Sequence, residues 1–277
     1  MTEIDPRVHD ELLVRREGGV LWLTINRADA GNALTYYLRD ALIAAFTDAH
    51  LDVAVRAVVL TGAGTKHFCT GADLRVPQPA APLPEGAPER PVGSAVDMMR
   101  AGFPRLVEHI QDCQKPVIVA LNGTAAGGGA ALALAADLVI AVDTVKLVQV
   151  FVRRGLVADA GTAYLLPRLV GLHKAKELIF FGDDLGATDA AELGIVNKVV
   201  PADEFEATTR EWAARLASGP TKAIGWSKKL LHDALDVDRG TLMHSEALYV
   251  ELNSRTEDSQ EGVASFVERR PTEFTGW

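Results

Sequence analysis

The sequence predicts one large domain of the α/β class, followed by a helical C-terminal region. Four short apolar segments have the length and composition of buried strands, and segments with helical spacing separate them. Continuous apolar strands of this kind are typical of a sheet that is covered on its faces. The predicted strands are Val20–Ile25, Ala57–Gly62, Val117–Leu121 and Leu138–Val142.

Helical periodicity accounts for most of the remaining chain. An alanine-rich helix is predicted after the first strand, and the pattern becomes mostly helical after Thr162. Gly219-Pro220 separates two of the C-terminal helices. We therefore divide the chain into an α/β core over residues 1–200 and a helical region over residues 201–277. The predicted helices are Tyr36–His50, Glu204–Ser218, Thr221–Ala234, Met243–Arg255 and Gln260–Arg270.

Residues 76–92 are rich in proline and alanine and have no periodicity. This composition predicts a loop or an extended excursion instead of a helix or strand. The segment directly follows Thr70–Leu74, where it could act as a lid over a binding site. The composition itself favours a plain surface insertion.

Composition and charge narrow the classes of function. The 277 residues include 28 Lys and Arg and 37 Asp and Glu, and the resulting net charge of −9 argues against nucleic acid or a membrane as the partner. The two cysteines and the scattered histidines form no CxxC or HExxH pattern, so we expect neither a disulfide framework nor a metal site. Neither an apolar leader nor a membrane-spanning stretch is apparent, and we expect a cytoplasmic protein.

Gly62–Asp73 is the first of three segments in which small residues suggest a binding role. It follows a strand but contains neither a GK[ST] motif nor a complete GxGxxG, so it does not match a phosphate-binding loop. The pattern instead indicates a tight turn whose backbone N–H groups can approach a ligand closely. The small side chains around Ala72 leave its amide uncovered.

Asn122–Ala135 is the second segment. It follows a strand and starts a helix with three consecutive glycines, Gly127–Gly129. Unpaired N–H groups at a helix start, aided by the helix dipole, suit a phosphate or a developing oxyanion. Small residues also let a buried helix pack closely on a sheet, and the segment alone slightly favours that simpler interpretation.

Gly155–Thr162 is the third segment, and it contains Asp159 among apolar and small residues. One interpretation is an N-cap for the following helix, which is a common role for aspartate. The other is a carboxylate in an apolar pocket, poised for proton transfer. The segment alone favours the cap.

In their order and spacing, these segments resemble the crotonase superfamily, which contains enoyl-CoA hydratases and isomerases. The resemblance extends from about Gly19 to Phe274, nearly the whole chain. Each motif is weak alone, whereas the ordered set is specific. The motifs are Asn26-Arg27 with Asn32-Ala33-Leu34, Phe68–Leu74, Lys115-Pro116 with Asn122-Gly123 and Gly127–Gly129, Leu166–Gly171, Ala191–Pro201, and Thr256–Asp258 with Glu261-Gly262.

The resemblance implies a spiral core of repeated ββα turns that carries a CoA-thioester site, and C-terminal helices that build a homotrimer or hexamer. It also implies an acyl-CoA thioester as the substrate, with no separate cofactor. The family's oxyanion hole uses two backbone amides, which the matching motifs place on Ala72 and Gly128. Removing such a donor typically costs about 3 kcal/mol of transition-state stabilisation. The residues expected to bind the CoA part are Arg27, Ala30, Lys66, Ala72, Asp73 and Leu74, with Phe266 and Arg269 reaching the nucleotide of a neighbouring subunit.

The chain departs from the family's hydratases at both of their catalytic glutamates. One glutamate lies two residues after the glycine triplet, where this chain has Ala131, and the other lies four residues before Gly155, where it has Phe151. Asp159 instead matches the catalytic aspartate of dienoyl-CoA isomerases, ring epoxide isomerases of phenylacetyl-CoA breakdown and 4-chlorobenzoyl-CoA dehalogenase. The resemblance therefore implies double-bond isomerisation, with Asp159 as proton shuttle in an acyl pocket that Ala131 and Phe151 make wider and more apolar. Two alternatives are hydratase, hydrolase or dehalogenase activity on an unusual acyl-CoA, and a CoA-thioester binding protein without catalysis.

Overall fold

A parallel sheet with one antiparallel edge strand forms the centre of the fold. The computed structural model describes residues 10–76, 78, 82–89 and 91–277. The four strands predicted from the sequence are all present, as β2, β3, β5 and β7. An N-terminal strand pairs antiparallel with β2, and every other neighbouring pair is parallel. In spatial order the strands are β1 (Leu12–Glu17), β2 (Val20–Ile25), β3 (Ala57–Gly62), β5 (Val117–Leu121), β7 (Leu138–Val142) and β10 (Lys198–Val200).

A second, smaller sheet consists of three-residue strands. In spatial order these are β4 (His67–Cys69), β6 (Thr124–Ala126), β8 (Lys146–Val148) and β9 (Asp184–Gly186). The first three run parallel to one another, and β9 pairs antiparallel with β8. Strands β3, β5 and β7 are each followed at once by a strand of the smaller sheet and then by helix. The chain therefore repeats a ββα turn, which confirms the predicted spiral core.

Helices cover both sheets and then form the C-terminal part of the chain. Helix α1 begins after Thr35, whose hydroxyl accepts a hydrogen bond of 3.2 Å from the Leu38 N–H and so caps the helix start. The two final helices begin three to four residues before their predicted starts. The helices are α1 (Tyr36–Leu51), α2 (Ser94–Arg100), α3 (Phe103–Asp112), α4 (Gly128–Ala135), α5 (Thr162–Val170), α6 (Leu172–Phe181), α7 (Ala187–Glu192), α8 (Phe205–Ala217), α9 (Thr221–Asp233), α10 (Arg239–Asn253) and α11 (Glu257–Glu268).

The apolar strands are buried on both faces of the larger sheet. In β3, Val58 and Leu60 belong to the main core, whereas Val59 points to the opposite face and packs in a second cluster with Ala213 and Ala217 of α8. A strand covered on both faces needs apolar residues at consecutive positions. This arrangement explains why the strand has no polar-apolar alternation.

A buried ion pair attaches the C-terminal helices to the core. Lys228 of α9 donates hydrogen bonds to the Asp137 carboxylate at 2.8 Å and to the Ile110 carbonyl at 2.9 Å, and Asp137 also accepts from the Val117 N–H at 2.7 Å. The Lys228 and Asp137 side chains are only 6% and 17% exposed. Asp137 therefore depends on Lys228 to compensate a charge that water reaches poorly.

We expect the substitution Lys228→Met to lower the free energy of unfolding by about 3 kcal/mol, because it leaves Asp137 as an uncompensated, largely buried charge. Chemical denaturation measures this loss. The neighbouring substitution Lys229→Met removes a more exposed pair with Asp233 and serves as the control, with an expected loss of about 1 kcal/mol or less. Equal losses in the two variants would contradict the anchoring role of Lys228.

Candidate active site

The loops that contain Ala72, Gly128 and Asp159 leave the smaller sheet at the carboxyl ends of its strands. Ala72 follows β4, Gly128 follows β6, and Asp159 lies in the loop beyond β8. These strands are parallel neighbours, so their carboxyl ends lie side by side. Loops at the carboxyl ends of adjacent parallel strands are a common place for a ligand site. The three sequence segments singled out above thus meet in one region of the fold.

The amide of Ala72 is turned away from the neighbouring chain segment. Leu34 forms an isolated parallel bridge with Ala72, in which its N–H donates to the Gly71 carbonyl and its carbonyl accepts from the Asp73 N–H, both at 2.8 Å. In this pattern the Gly71 carbonyl and the Asp73 N–H face Leu34, so the Ala72 N–H points to the opposite side. No backbone hydrogen bond in the described part of the chain uses that N–H.

The amide of Gly128 lies beside the same turn. Gly128 is the first residue of α4, and the first N–H groups of a helix have no acceptor within it. Gly71 has a φ of +94°, and a Cβ placed on it would lie 3.1 Å from the Gly128 nitrogen. Glycine at position 71 therefore permits both the left-handed backbone and the close approach of the two segments.

Helix α4, which begins at Gly128, is closely packed. All eight residues of the helix are buried, and a Cβ on Gly129 would lie 2.0 Å from the Cys69 carbonyl oxygen. The packing interpretation of the glycine triplet is therefore confirmed, and the binding interpretation stays a prediction. Gly129 lets the helix contact β4, while Gly128 places an N–H at the carboxyl edge of the smaller sheet.

Helix α3 connects the Gly128 turn with the Asp159 loop. A Cβ on Gly128 would lie 2.6 Å from Cε1 of Phe103, and a Cβ on Gly161 would lie 3.1 Å from Cγ1 of Val107. These two α3 residues are about 6 Å apart along the helix axis. One turn of α3 thus spans the distance between the Gly128 amide and the loop that carries Asp159.

The sequence-based interpretation missed α3 and its contact with the site. Its apolar residues nevertheless have helical spacing, at Phe103, Leu106, Val107 and Ile110. That pattern was a sufficient signal for a helix. The contact of Phe103 with Gly128 could not be read from it, because the contact depends on how α3 packs against α4.

The prediction that Asp159 caps the following helix is wrong. The N-cap residue of α5 is Gly161, and no side chain accepts a hydrogen bond at this helix start. The Thr162 N–H donates to the backbone carbonyl of Asp159 at 2.9 Å, because Ala160 has a φ of +53° and reverses the chain between them. The carboxylate of Asp159 is therefore not used to start α5.

The Asp159 carboxylate has unusual surroundings for an exposed residue. Among the described residues it forms no ion pair and no hydrogen bond except with its own backbone, and desolvation by nearby protein atoms raises its pKa. The residue is nevertheless exposed in the single chain. Both properties fit a carboxyl group that is open to solvent on one side and faces protein atoms, without a cation, on the other.

We expect the substitution Asp159→Asn to raise the melting temperature at neutral pH. A raised pKa means that the folded chain holds the proton more tightly than the unfolded chain, so stability falls as pH rises from about 3.9 through the raised pKa. Asparagine cannot ionise and avoids this loss. Thermal unfolding of both proteins across pH measures the effect, and the two should converge at acidic pH, where Asp159 is neutral. A lower melting temperature for the variant at neutral pH would contradict the expectation.

Apolar side chains occupy the two positions that the motif resemblance assigns to the hydratase glutamates. Ala131 lies on α4 and is fully buried, and Phe151 is 6% exposed. Cε1 of Phe151 lies 4.0 Å from a Cβ placed on Gly127. Neither side chain can transfer a proton, and the Phe151 ring lies next to the glycine turn.

The residues expected to bind CoA fall into two groups. Arg27 and Asp73 bind each other through two hydrogen bonds of 3.1 Å and are mostly buried. The other expected contacts are open to solvent to different degrees in the single chain. Ala30 is half-buried, Leu74 is 76% exposed, Phe266 is 82% exposed, and Lys66 and Arg269 are exposed.

The described residues were also compared with the requirements of a metal site and of a membrane-spanning helix. They contain no group of three or more His, Cys, Asp or Glu side chains placed to hold a metal ion. Within the same residues, none of the helices has the length and apolar character that crossing a bilayer requires.

Comparison with known proteins agrees with the fold and with the family that the sequence motifs resemble. The family model described as "Enoyl-CoA hydratase/isomerase" matches residues 15–276. A Rhodobacter capsulatus protein named "Probable enoyl-CoA hydratase" is 38% identical over 93% of this chain and 95% of its own length. The "1,2-epoxyphenylacetyl-CoA isomerase" of Escherichia coli is 35% identical over 96% of this chain and 98% of its own length. The crystal structure of an enoyl-CoA hydratase from Bacillus anthracis superimposes with a TM-score of 0.85 at 33% identity, covering 96% of this chain and all of that one (100%).

The ββα spiral and the matching motifs define a protein of the crotonase superfamily. Within it, the chain belongs to the enoyl-CoA hydratase/isomerase family, whose enzymes act on acyl-CoA thioesters. The names of its relatives include both hydratases and an isomerase, so the family alone does not select the reaction.

Proposed function

We propose that this enzyme moves a double bond within an unsaturated acyl-CoA. The amides of Ala72 and Gly128 stabilise the thioester enolate, and Asp159 carries the proton. The observation that carries the proposal is the unpaired Asp159 carboxylate, in a site whose hydratase positions hold Ala131 and Phe151.

The reaction needs only one acid–base group. For a 3-enoyl thioester, the Asp159 carboxylate removes a proton from C2, and the electrons of that C–H bond delocalise into a dienolate. The two amides donate hydrogen bonds to the enolate oxygen, where negative charge develops. Protonated Asp159 then returns the proton to C4, which leaves a 2-enoyl thioester and regenerates the carboxylate.

Desolvation of Asp159 supports this role in proton transfer. A carboxyl group with its ordinary pKa is a weak base near neutral pH, and a raised pKa brings it closer to the pH at which the enzyme works. Addition of water would also require a group that activates the water molecule. The relative named as an epoxyphenylacetyl-CoA isomerase supports an isomerisation reaction for this chain as well.

Hydration of a 2-enoyl thioester is the second candidate, because relatives such as the "Crotonyl-CoA hydratase" of Syntrophomonas wolfei are 34% identical. Parallel assays with a 3-enoyl-CoA and with crotonyl-CoA separate the two reactions. We expect conversion of the 3-enoyl-CoA to its conjugated isomer and weak or absent hydration of crotonyl-CoA. Efficient hydration would favour the second candidate, whereas CoA-ester binding without either turnover would identify a binding protein.

The proposed enzyme is a homotrimer or a hexamer. Helix α10 has no buried residue in the single chain, and it exposes Met243, Leu248, Val250 and Leu252 by half or more of their surface. A subunit interface would remove this apolar surface from water. Sedimentation analysis at micromolar concentration tests the proposal, and a monomer would contradict it.

A further inference from the structure

Arg27, Glu11, Asp73 and Arg75 form one connected cluster of charges beside the Ala72 amide. The Arg27 guanidinium donates to Asp73 Oδ2, to Glu11 Oε1 at 3.0 Å and to the Ala33 carbonyl. Arg75 also binds Asp73: its Nε and its backbone N–H donate to Oδ1 at 2.8 Å and 3.1 Å, and its Nη2 donates to Oδ2 at 3.0 Å. The cluster has two positive and two negative charges, so its arginines are already compensated and are poorly placed to neutralise a phosphate.

Arg27 cross-links the two segments that form the Leu34–Ala72 bridge. One segment contains Ala33, whose carbonyl accepts from Arg27, and the other contains Asp73, whose carboxylate does the same. The Ala72 N–H lies between the two backbone hydrogen bonds of this bridge. The orientation of the N–H therefore depends on segments that Arg27 holds together.

The charge of Asp73 also needs compensation at this place. Its side chain is only 2% exposed, and hydrogen bonds from Arg75 and then Arg27 hold its pKa well below the usual range, so it stays ionised. A carboxylate one residue from Ala72 would repel an enolate oxygen bound at that amide. Of the two compensating groups Arg27 is the less screened by water, because its side chain is 13% exposed whereas that of Arg75 is 69% exposed.

We infer that Arg27 is a positioning residue for the oxyanion hole: it fixes the Ala72 amide and neutralises Asp73, instead of contacting the CoA phosphates. The inference rests on the proposed function, because it requires that the Ala72 amide binds the thioester oxygen. In this role Arg27 and Asp73 do not make the contacts with CoA that were expected from the sequence, but affect the reaction by holding the Ala72 amide in place.

The test compares Arg27→Met, Asp73→Asn and the double variant. We expect Arg27→Met to lower kcat about tenfold and to change KM little. The loss is smaller than the factor of about 10²–10³ in kcat that removal of an oxyanion donor costs, because the amide is still present. Asp73→Asn removes the charge and should cost less. The double variant should recover much of the loss caused by Arg27→Met, because residue 73 then carries no negative charge beside the Ala72 amide. A raised KM with unchanged kcat in Arg27→Met, or no recovery in the double variant, would overturn the inference.

The infrared carbonyl stretch of bound butyryl-CoA, a saturated thioester with no double bond to move, supplies a second readout. Hydrogen bonds from the two amides should lower its frequency in the wild type, and Arg27→Met should shift it back toward the free value. Arg27→Lys keeps the charge and should restore part of the shift. Lys228→Met controls for general loss of stability and should leave the frequency unchanged.

Failure of the proposed function and failure of the positioning role would give different infrared spectra. If the wild type does not lower the carbonyl frequency, the oxyanion hole and with it the proposed function are wrong. If the wild type lowers it and Arg27→Met lowers it equally, the positioning role alone is wrong.

Discussion

Asp159→Asn is expected to lower the isomerisation rate by about 10²–10⁴, the range that general acid–base catalysis typically contributes. Asparagine has nearly the same shape as aspartate but cannot accept the C2 proton. Because Gly161 caps α5 and the Asp159 side chain does not, the substitution leaves the start of the helix intact. CoA-ester affinity should therefore change little.

Exchange of the C2 protons with deuterated solvent gives an independent measurement for this variant. The wild type should exchange them in a saturated acyl-CoA, whereas Asp159→Asn should not. Asp159→Glu keeps a carboxylate but displaces it by one methylene group, so we expect partial activity. Turnover near the wild-type level in Asp159→Asn would show that another group carries the proton.

Gly71→Ala is expected to lower kcat by about 10²–10³, as loss of one oxyanion donor does. The added Cβ would lie 3.1 Å from the Gly128 nitrogen, in a backbone with a φ of +94°. The turn must then shift, and the two amides can no longer converge on one oxygen atom. Measurement of kcat and of CoA-ester affinity separates this effect from loss of binding.

Gly194→Ala is the matched control for backbone strain. Gly194 also has a left-handed backbone, with a φ of +78°, but a Cβ on it would meet nothing within 4 Å. Both substitutions should cost stability for the same conformational reason. Only Gly71→Ala should lose kcat, and similar activities in the two variants would contradict the role of the glycine turn.

Four of the six strands of the larger sheet were predictable from the sequence, whereas the smaller sheet was not. Strands β2, β3, β5 and β7 have five or six residues with a continuous apolar pattern, which is a strong signal. The strands of the smaller sheet have three residues each, too few to show any periodicity. Their pairing is set by the spiral path of the chain, a property that local sequence does not contain.

The candidate site could be located from the sequence but not resolved in detail. Motif order singled out Ala72, Gly128 and Asp159, and the strands that precede them are neighbours in the smaller sheet. The choice between cap and free carboxylate at Asp159 depended on the positive φ of Ala160, which alanine seldom adopts and composition does not indicate. The pairing of Arg27 with Asp73 was not predictable either, because the two residues are 46 positions apart and only the tertiary fold brings them together.

The three functional loops belong to three successive ββα turns, each contributing one group after its second strand. The amides proposed to bind the carbonyl are backbone groups, so their positions depend on the path of the chain more than on its side chains. The group proposed to transfer the proton is a side chain, and each turn offers a position for one. With the roles divided in this way, a substitution in the turn that carries Asp159 would change the reaction, while the amides of the other two turns would still be in place to bind the thioester carbonyl.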